Sequence, residues 1–506
     1  VIATWAALLS PGIVLLLVDG YDLGRVPLWR DEAYTVDAAH RSLAQIFSLL
    51  THADAVNNAY YVLMHADIAL LGTSATALRL PSLLALAAAA VVTAAIGRRL
   101  ADAARLPVPA LTGMLAGLLF VAAPQVTRYA QEARSYGLVT MFATVASYLL
   151  LRAVSDSRRR WWAGYGAAIA LAGLFNLLAL LLVIPHAVTL GIARSRQPAA
   201  ERTVRLSRWL AAVAVAAVVL CPLLVLGYLQ RRQVGWLTRP GVGAVSRLVV
   251  AFAGSKSLVV LGALLVVGAV AGCLAVRPRP PVDAATLALP WLVLPAAILL
   301  AVSQIHPMYD ARYILYSLPA LALLIAAGLA WLTRLARQVV PASPGRAAGV
   351  LSWLPAVAVL TLLAAMVLAP QRLIRLPSAR ADNLATVSAI VAANEQPGDG
   401  VLYLPSNKRV FGMAYPAPFQ RLRDLALARS PVAAVNLLGT EVPAPTLLAR
   451  GARVHRIWLV SGRDGLLLLQ NPVGPQQKAE AVLLRSFHLV RRWTVRGDML
   501  CLFVRG

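Results

Sequence analysis

Eleven apolar runs, each about long enough to cross a bilayer, divide the first 370 residues and fix what the chain can fold into. They fall near 2–18, 81–97, 108–124, 137–151, 161–175, 177–193, 209–229, 257–276, 284–303, 313–333 and 350–369. A hydrocarbon core about 30 Å thick needs about 20 residues of helix, and helices satisfy their own backbone there. Charged residues are only 13% of the 506 and hydrophobic ones 59%, against about 25% charged in a water-soluble globule. The reading is an all-α polytopic membrane domain over residues 1–370 with about eleven transmembrane helices. Around Asn176 one unbroken apolar run has to be cut into two short helices. The sequence opens on Val1 without a methionine, which points to a missing short N-terminal piece. The first run lacks a basic n-region and a small-x-small cleavage site before Asp19, so it reads as a retained span.

The formal charge of +26 raises the question of nucleic acid. The basic residues are scattered between apolar runs, with no aromatic-interleaved binding domain, so nucleic acid is excluded as a partner and the charge is assigned to topology and to membrane lipids. One set of short loops is dense in arginine: Arg98, Arg99 and Arg105; Arg152 and Arg158 to Arg160; Arg194, Arg196, Arg202, Arg205 and Arg208; Arg277 and Arg279; Arg334, Arg337 and Arg346. These loops are expected to be cytoplasmic, as is the N-terminus. Residues 19–80, 125–136, 230–256, 304–312 and everything after about 370 then face outward. The outer loops also carry arginines, which the positive-inside bias does not explain, and an anionic ligand would. Cys221 and Cys273 lie in apolar runs and Cys501 near the C-terminus, with no disulfide framework or zinc spacing.

In the first outer loop, Asp31 and Glu32 stand in Trp29-Arg30-Asp31-Glu32-Ala33-Tyr34-Thr35, just past the first span. Carboxylates at the mouth of a span are costly to place and useful for chemistry; ordinary solvated loop acids are the plainer reading. From Asp37 to Leu50 the residues Ala39, Leu43, Ile46, Phe47 and Leu50 share one helical face, which predicts an amphipathic helix at the membrane interface. A second such helix is expected over 57–71, with Tyr60, Tyr61, Met64, Ile68 and Leu71 as its apolar members.

After Pro370 the pattern changes. Short β-rich runs at 400–404, 456–461, 487–495 and 499–504, the last two joined at Arg496-Gly497, alternate with helical stretches near 380–394, 419–429 and 476–485. Residues 371–506 are expected to form a small extracytoplasmic α/β domain with a partly parallel sheet.

Taken in order, several segments resemble the C-type glycosyltransferase superfamily. They are Asp31-Glu32, Asn57-Asn58-Ala59-Tyr60-Tyr61 with His65, Leu78-Arg79-Leu80-Pro81-Ser82, Arg128-Tyr129-Ala130-Gln131-Glu132-Ala133-Arg134-Ser135-Tyr136, and His306-Pro307-Met308-Tyr309-Asp310-Ala311-Arg312-Tyr313. More narrowly they resemble its protein O-mannosyltransferase and lipid A aminoarabinose transferase branch, as found in bacteria. The resemblance spans roughly residues 1–335. It implies a multi-pass plasma (inner) membrane enzyme that moves a sugar, mannose first, from a polyprenyl-phosphate-linked donor to a glycan, lipid or protein acceptor at the outer face, with inversion. It implies Asp31 as the catalytic acid, with Glu32 beside it, and assigns Glu132, Arg134 and Arg312 to the site. Tyr60, Tyr61, His65, Tyr136, His306, Tyr309 and Tyr313 are carried along as substrate-binding candidates. Where relatives often have Pro-Pro before the paired tyrosines, this chain has Asn58-Ala59.

The chemistry points the same way. A carrier phosphate leaves as an anion, and a guanidinium binds two of its oxygens while staying charged near lipid; Arg128, Arg134, Arg312 and Lys256 are the candidates. Arg312 is expected to open a helix after the His306-Pro307 turn, where its side chain and the free amides of the first turn can both face the anion. An acceptor hydroxyl is too weak an acid to be ionised beforehand, so a carboxylate must take its proton as the bond forms. The plainer reading of Arg128 and Arg134 is an ion cluster with Glu132 or snorkelling to headgroups, and that of Tyr129, Tyr136, Tyr309 and Tyr313 an interfacial belt. His52-Ala53-Asp54 and His65-Ala66-Asp67 supply too few ligands for a metal; no metal site or cofactor is assigned, and dependence on a divalent ion stays open. His186 and Asn176 read as packing residues. The alternative function is a non-enzymatic translocator of polyprenyl-linked sugars. Such a protein places polar groups near the midplane in two related halves; here the charges gather at one face and no repeat is visible.

Overall fold

The computed structural model describes residues 2–106, 108–156, 158–198, 206–339 and 354–506. Arg202, Arg205, Arg346 and the first residues of the eleventh run, 350–353, lie outside them. The chain divides into two compact units, Val1–Leu23 with Arg79–Ile374 and Gly24–Leu78 with Arg375–Gly506.

The first unit is helical. Among the described residues nine helices are long and apolar enough to cross a membrane, from Ile2–Gly20 to Val357–Ile374. Pro109–Ala122 and Pro124–Ala130 form a broken tenth, bent by 67°. The fifth expected run is the 17-residue helix Arg159–Phe175, so each expected run carries a helix within its described residues. Small residues bring these helices together. A Cβ on Gly113 would run into the Ala94 carbonyl, and one on Gly328 into the Leu265 carbonyl, so only glycine permits those backbone approaches.

The two polar residues read as packing are satisfied. Asn176 ends the fifth helix, and its side-chain oxygen accepts the Leu178 N–H at 3.0 Å; this divides the long apolar run. His186 is fully buried between Ser147 Oγ on Nε2 and Tyr165 Oη on Nδ1, both at 3.1 Å. One direction of donation satisfies the whole chain. Trp209 Nε1 donates to Tyr165 Oη at 3.1 Å, Tyr165 donates to Nδ1, Nε2 donates to Ser147, and Ser147 donates to the Ala143 carbonyl at 2.9 Å.

The second unit joins Gly24–Leu78 to the C-terminal segment. Its five-stranded sheet has the order β2-β1-β5-β7-β6, with β1 Gly400–Leu404, β2 Arg423–Asp424, β5 Arg456–Gly462, β6 Phe487–Val495 and β7 Asp498–Arg505; β3 Leu427–Arg429 and β4 Thr440–Glu441 form a separate pair. β1 runs parallel to β2 and β5, while β7 is antiparallel to β5 and β6. The partly parallel sheet and the hairpin at Arg496-Gly497 are as expected. The helix expected over 419–429 is not formed: the segment carries β2 and β3 instead. There the Asp424 carboxylate accepts the Ala426 and Leu427 N–H groups at 3.1 and 2.9 Å, a local alternative to helical bonding. The expected 380–394 helix starts later, at Leu384, because Asn383 caps it through the Thr386 N–H at 3.1 Å.

The segment between the first two spans also differs in detail. Asp31 and Glu32 do not lie in a loop. They open the helix Arg30–Ala39, because Glu32 at its third position accepts the Trp29 N–H at 3.3 Å and first-turn acids suit a helix N-terminus. The helix expected from 37 to 50 is split, since Ser42 and Gln45 form a capping box that starts Leu43–His52 afresh. That helix buries Ile46 and Leu49 and leaves Leu43 and Phe47 exposed. The second expected helix is Asn58–Leu71.

Candidate active site

The break in the third span builds the cationic part of the site. Ala123 is extended and Pro124, which lacks an N–H, takes the first position of a new short helix whose last turn carries Arg128 and Tyr129. A tight turn follows. The Arg134 N–H bonds the Glu132 carbonyl at 2.9 Å, and Ser82 Oγ donates to the Arg134 carbonyl at 3.0 Å. Tyr136 then opens the next helix.

A second loop of the same unit supplies Arg312. Asp310 caps the turn Ala311–Ser317, accepting the Arg312 N–H at 3.1 Å, and its carboxylate pairs with Arg312 Nε at 3.1 Å. The expectation that this amide is open to an anion is therefore corrected: Asp310 already occupies it, and the side chain is what Arg312 has to offer. Around it stand rings. The Arg312 guanidinium carbon is 5.9 Å from the Tyr136 ring centre, 5.6 Å from Tyr313 and 5.9 Å from Trp236. Tyr136 meets Tyr129 edge-on at 5.2 Å and Tyr313 at 6.3 Å, and Arg128 lies 5.9 Å from Tyr129. Arg134 is within electrostatic reach of Tyr313, as are Arg312 and Glu132 of Tyr129. Three arginines thus share one set of three tyrosines, with Glu132 fully buried among them.

Arg128 Nε and the Tyr309 hydroxyl are buried without a hydrogen-bond partner among the described residues. Burial pushes the Tyr309 hydroxyl above its ordinary pKa, so it remains a donor. Lys256 and His306 are exposed, and no described contact ties them to the arginines.

The second unit holds the remaining candidates. Asp31 is half-buried in the first turn of the Arg30–Ala39 helix, and Glu32, wholly buried, spends one oxygen on the Trp29 N–H. Tyr60 and Tyr61 are buried, and the Tyr61 hydroxyl donates to Asp54. His65 Nδ1 meets the Ala39 carbonyl at 2.9 Å. Tyr61 and His65 tie the Asn58–Leu71 helix to its neighbours, and Asn58, where relatives often have proline, donates to the Ile46 carbonyl at 2.6 Å.

Sequence reasoning left out three buried polar residues of the first unit. Arg79, with no exposed surface, donates to the Leu23 carbonyl at 2.8 Å. Gln131 donates to the Asp19 carbonyl at 3.0 Å, and Asp19 is itself fully buried. The signal was an arginine placed between Leu78 and Leu80 at the head of an apolar helix.

Residues 59–226 match the family described as dolichyl-phosphate-mannose-protein mannosyltransferase. Among solved structures, apo ArnT from Cupriavidus metallidurans shares the fold with a TM-score of 0.58 and 16% identity, over 98% of this chain and 97% of that one. The chain resembles the C-type glycosyltransferases, in sequence over residues 59–226 and in fold over nearly its whole length. ArnT from the same organism bound to undecaprenyl phosphate gives a TM-score of 0.52 at 16% identity, over 98% of each chain. None of the curated proteins matches the chain in sequence. The expected resemblance to the mannosyltransferase and aminoarabinose transferase branch and the expected membrane fold with a C-terminal α/β domain are borne out, and the enzyme class with them. Among the described residues no group of three or more His, Cys, Asp or Glu could hold a metal ion.

Proposed function

We propose that the chain transfers a sugar, mannose first, from a polyprenyl-phosphate carrier to a hydroxyl acceptor at the outer face of the membrane. The observation that carries this is the cluster of Arg128, Arg134 and Arg312 on shared tyrosines, with a buried Arg128 Nε that has no hydrogen-bond partner among the described residues. An anionic phosphate supplies an acceptor for that donor, and the ArnT structure bound to undecaprenyl phosphate names such a ligand for that protein.

In the reaction the acceptor oxygen forms a bond to the anomeric carbon as the bond from that carbon to the phosphate oxygen breaks. The carrier phosphate departs with the electron pair, the acceptor proton passes to Asp31, and a single displacement inverts the anomeric centre. The arginines act on the charge that grows on the leaving oxygen, which lowers the barrier more than it tightens ground-state binding. Glu32 holds the first turn of the Asp31 helix. Arg-dense short loops on the opposite side support the outward orientation of the site. Purified protein supplied with defined lipid-linked sugars and a panel of hydroxyl acceptors tests the reading: carrier phosphate released in step with glycosylated acceptor supports it, and donor left intact with every acceptor sinks it.

A further inference from the structure

The helix that carries Asp31 is built into the core of the C-terminal segment. Ala33 has no exposed surface and, with Tyr34, packs in the hydrophobic cluster of Leu384, Val387, Phe411 and Trp458. Two hydrogen bonds hold it, one just before its start and one at its middle: the Leu28 N–H donates to the Tyr415 hydroxyl at 3.1 Å, and Tyr34 donates to the Asn407 carbonyl at 3.4 Å. Burial holds the Tyr34 hydroxyl up at about 12, so that donor survives at any physiological pH.

A line of charges reaches the same point. Lys408 and Asp498, both buried, form an ion pair. Asp498 begins β7 directly after the tight turn at Gly497, whose φ of +78° suits glycine and where a Cβ would strike the Ala381 carbonyl. That close approach sets Asp382 beside the turn, and both Asp382 and Arg30 act electrostatically on Asp498. Asp382 is buried, and its Oδ2 has no hydrogen-bond partner among the described residues, yet it lies 3.4 Å from Arg30 Nε. Arg30 immediately precedes Asp31. A buried carboxylate paired with a cation holds that cation in place, because moving the cation away costs the acid its compensation.

We propose that the C-terminal segment is the positioning element of the reaction: the charges Lys408, Asp498, Asp382 and Arg30 lock the first turn of the Asp31 helix and aim its carboxylate. The proposal rests on the reading of Asp31 as the proton acceptor. Asp382 and Arg30 are positioning residues in it. A displaced base loses turnover and not donor affinity, since a misplacement of about 1 Å costs on the order of 100-fold in rate.

The test compares full-length wild type, Asp31→Asn, Asp382→Asn, Arg30→Gln, the double variant of the last two, and the exchanged pair Arg30→Asp with Asp382→Arg. Each is measured for kcat, donor KM and thermal midpoint. The expected result is a kcat lowered about ten- to hundred-fold in Asp382→Asn and in Arg30→Gln with donor KM unchanged, no further loss in the double variant, and recovery in the exchanged pair. Wild-type kcat in Asp382→Asn, or a loss that follows the thermal midpoint and is not recovered by exchange, overturns the proposal. Should Asp382→Asn fail to fold, Tyr415→Phe removes only the hydroxyl that holds Leu28 and is held to the same criteria. If Asp31→Asn is inactive while Asp382→Asn is normal, positioning alone fails; if Asp31→Asn turns over normally, the reading of Asp31 fails.

Discussion

Arg312 and Asp310 hold each other across one intervening residue: the carboxylate of Asp310 takes the Arg312 N–H at 3.1 Å and lies 3.1 Å from its Nε. The acid fixes the Nε edge of the guanidinium, whose planar fork is the geometry that suits a phosphate. Arg312→Ala is expected to weaken donor use about ten- to more than hundred-fold, since a hydrogen bond to a charged partner is worth about 1.5–3 kcal/mol. Arg312→Lys, which keeps the charge and loses the fork, should lose less. Donor titrations of both variants check this; equal kcat/KM in wild type and Arg312→Ala would remove the contact.

The His186 network gives a stability prediction that is separate from activity. His186→Ala leaves the Tyr165 hydroxyl without its acceptor and Ser147 Oγ without its donor, both fully buried in the helix core. A loss of about 1–3 kcal/mol is expected, with transfer per folded molecule unchanged. Thermal unfolding in detergent, read beside specific activity, separates the two.

How much of this was legible in the sequence depends on the range of the interactions involved. The spans were readable because lipid imposes one period and one length on every helix that crosses it. The Arg128–Tyr136 segment was found because charge at the end of an apolar run is costly wherever it occurs. The start of the Asp31 helix was missed although Glu32 stands three positions after Trp29, since tryptophan is no customary cap. The strands at 423–429 were missed because Leu422, Leu425 and Ala426 keep helical spacing, while the decisive contacts are the Asp424 side chain's own turn and the pairing of Val401 with Asp424. Nothing local in Ala33 or Asp382 announces that they meet the same domain; that pairing joins residues hundreds of positions apart.

Glu480 predicts a pH dependence of stability. Burial, and next the charge of Glu441, raise its pKa from the ordinary 4.5 to about 8. Between those values the unfolded chain has lost the proton that the folded chain keeps, so stability falls as pH rises from about 4.5 to about 8. Glu480→Gln, which stays neutral throughout, should flatten that part of the curve and raise the thermal midpoint at pH 8 more than at pH 5. Identical pH profiles for variant and wild type would contradict it.

Topology can be read by labelling. With Cys221, Cys273 and Cys501 replaced, a single cysteine near Ser406 should react with an impermeant reagent in intact cells, and one near Ser195 should not. Labelling of the second site alone would invert the assigned orientation.

The most direct test of the account is transfer itself, measured as carrier phosphate released from a polyprenyl-phosphate-linked sugar by purified wild type and by Asp31→Asn. Wild type is expected to release carrier phosphate in step with inverted product, while Asp31→Asn binds the donor with unchanged affinity and turns it over at least about 100-fold more slowly. Equal turnover by the two proteins, or a wild type that carries the donor across vesicle membranes without cleaving it, would contradict the account.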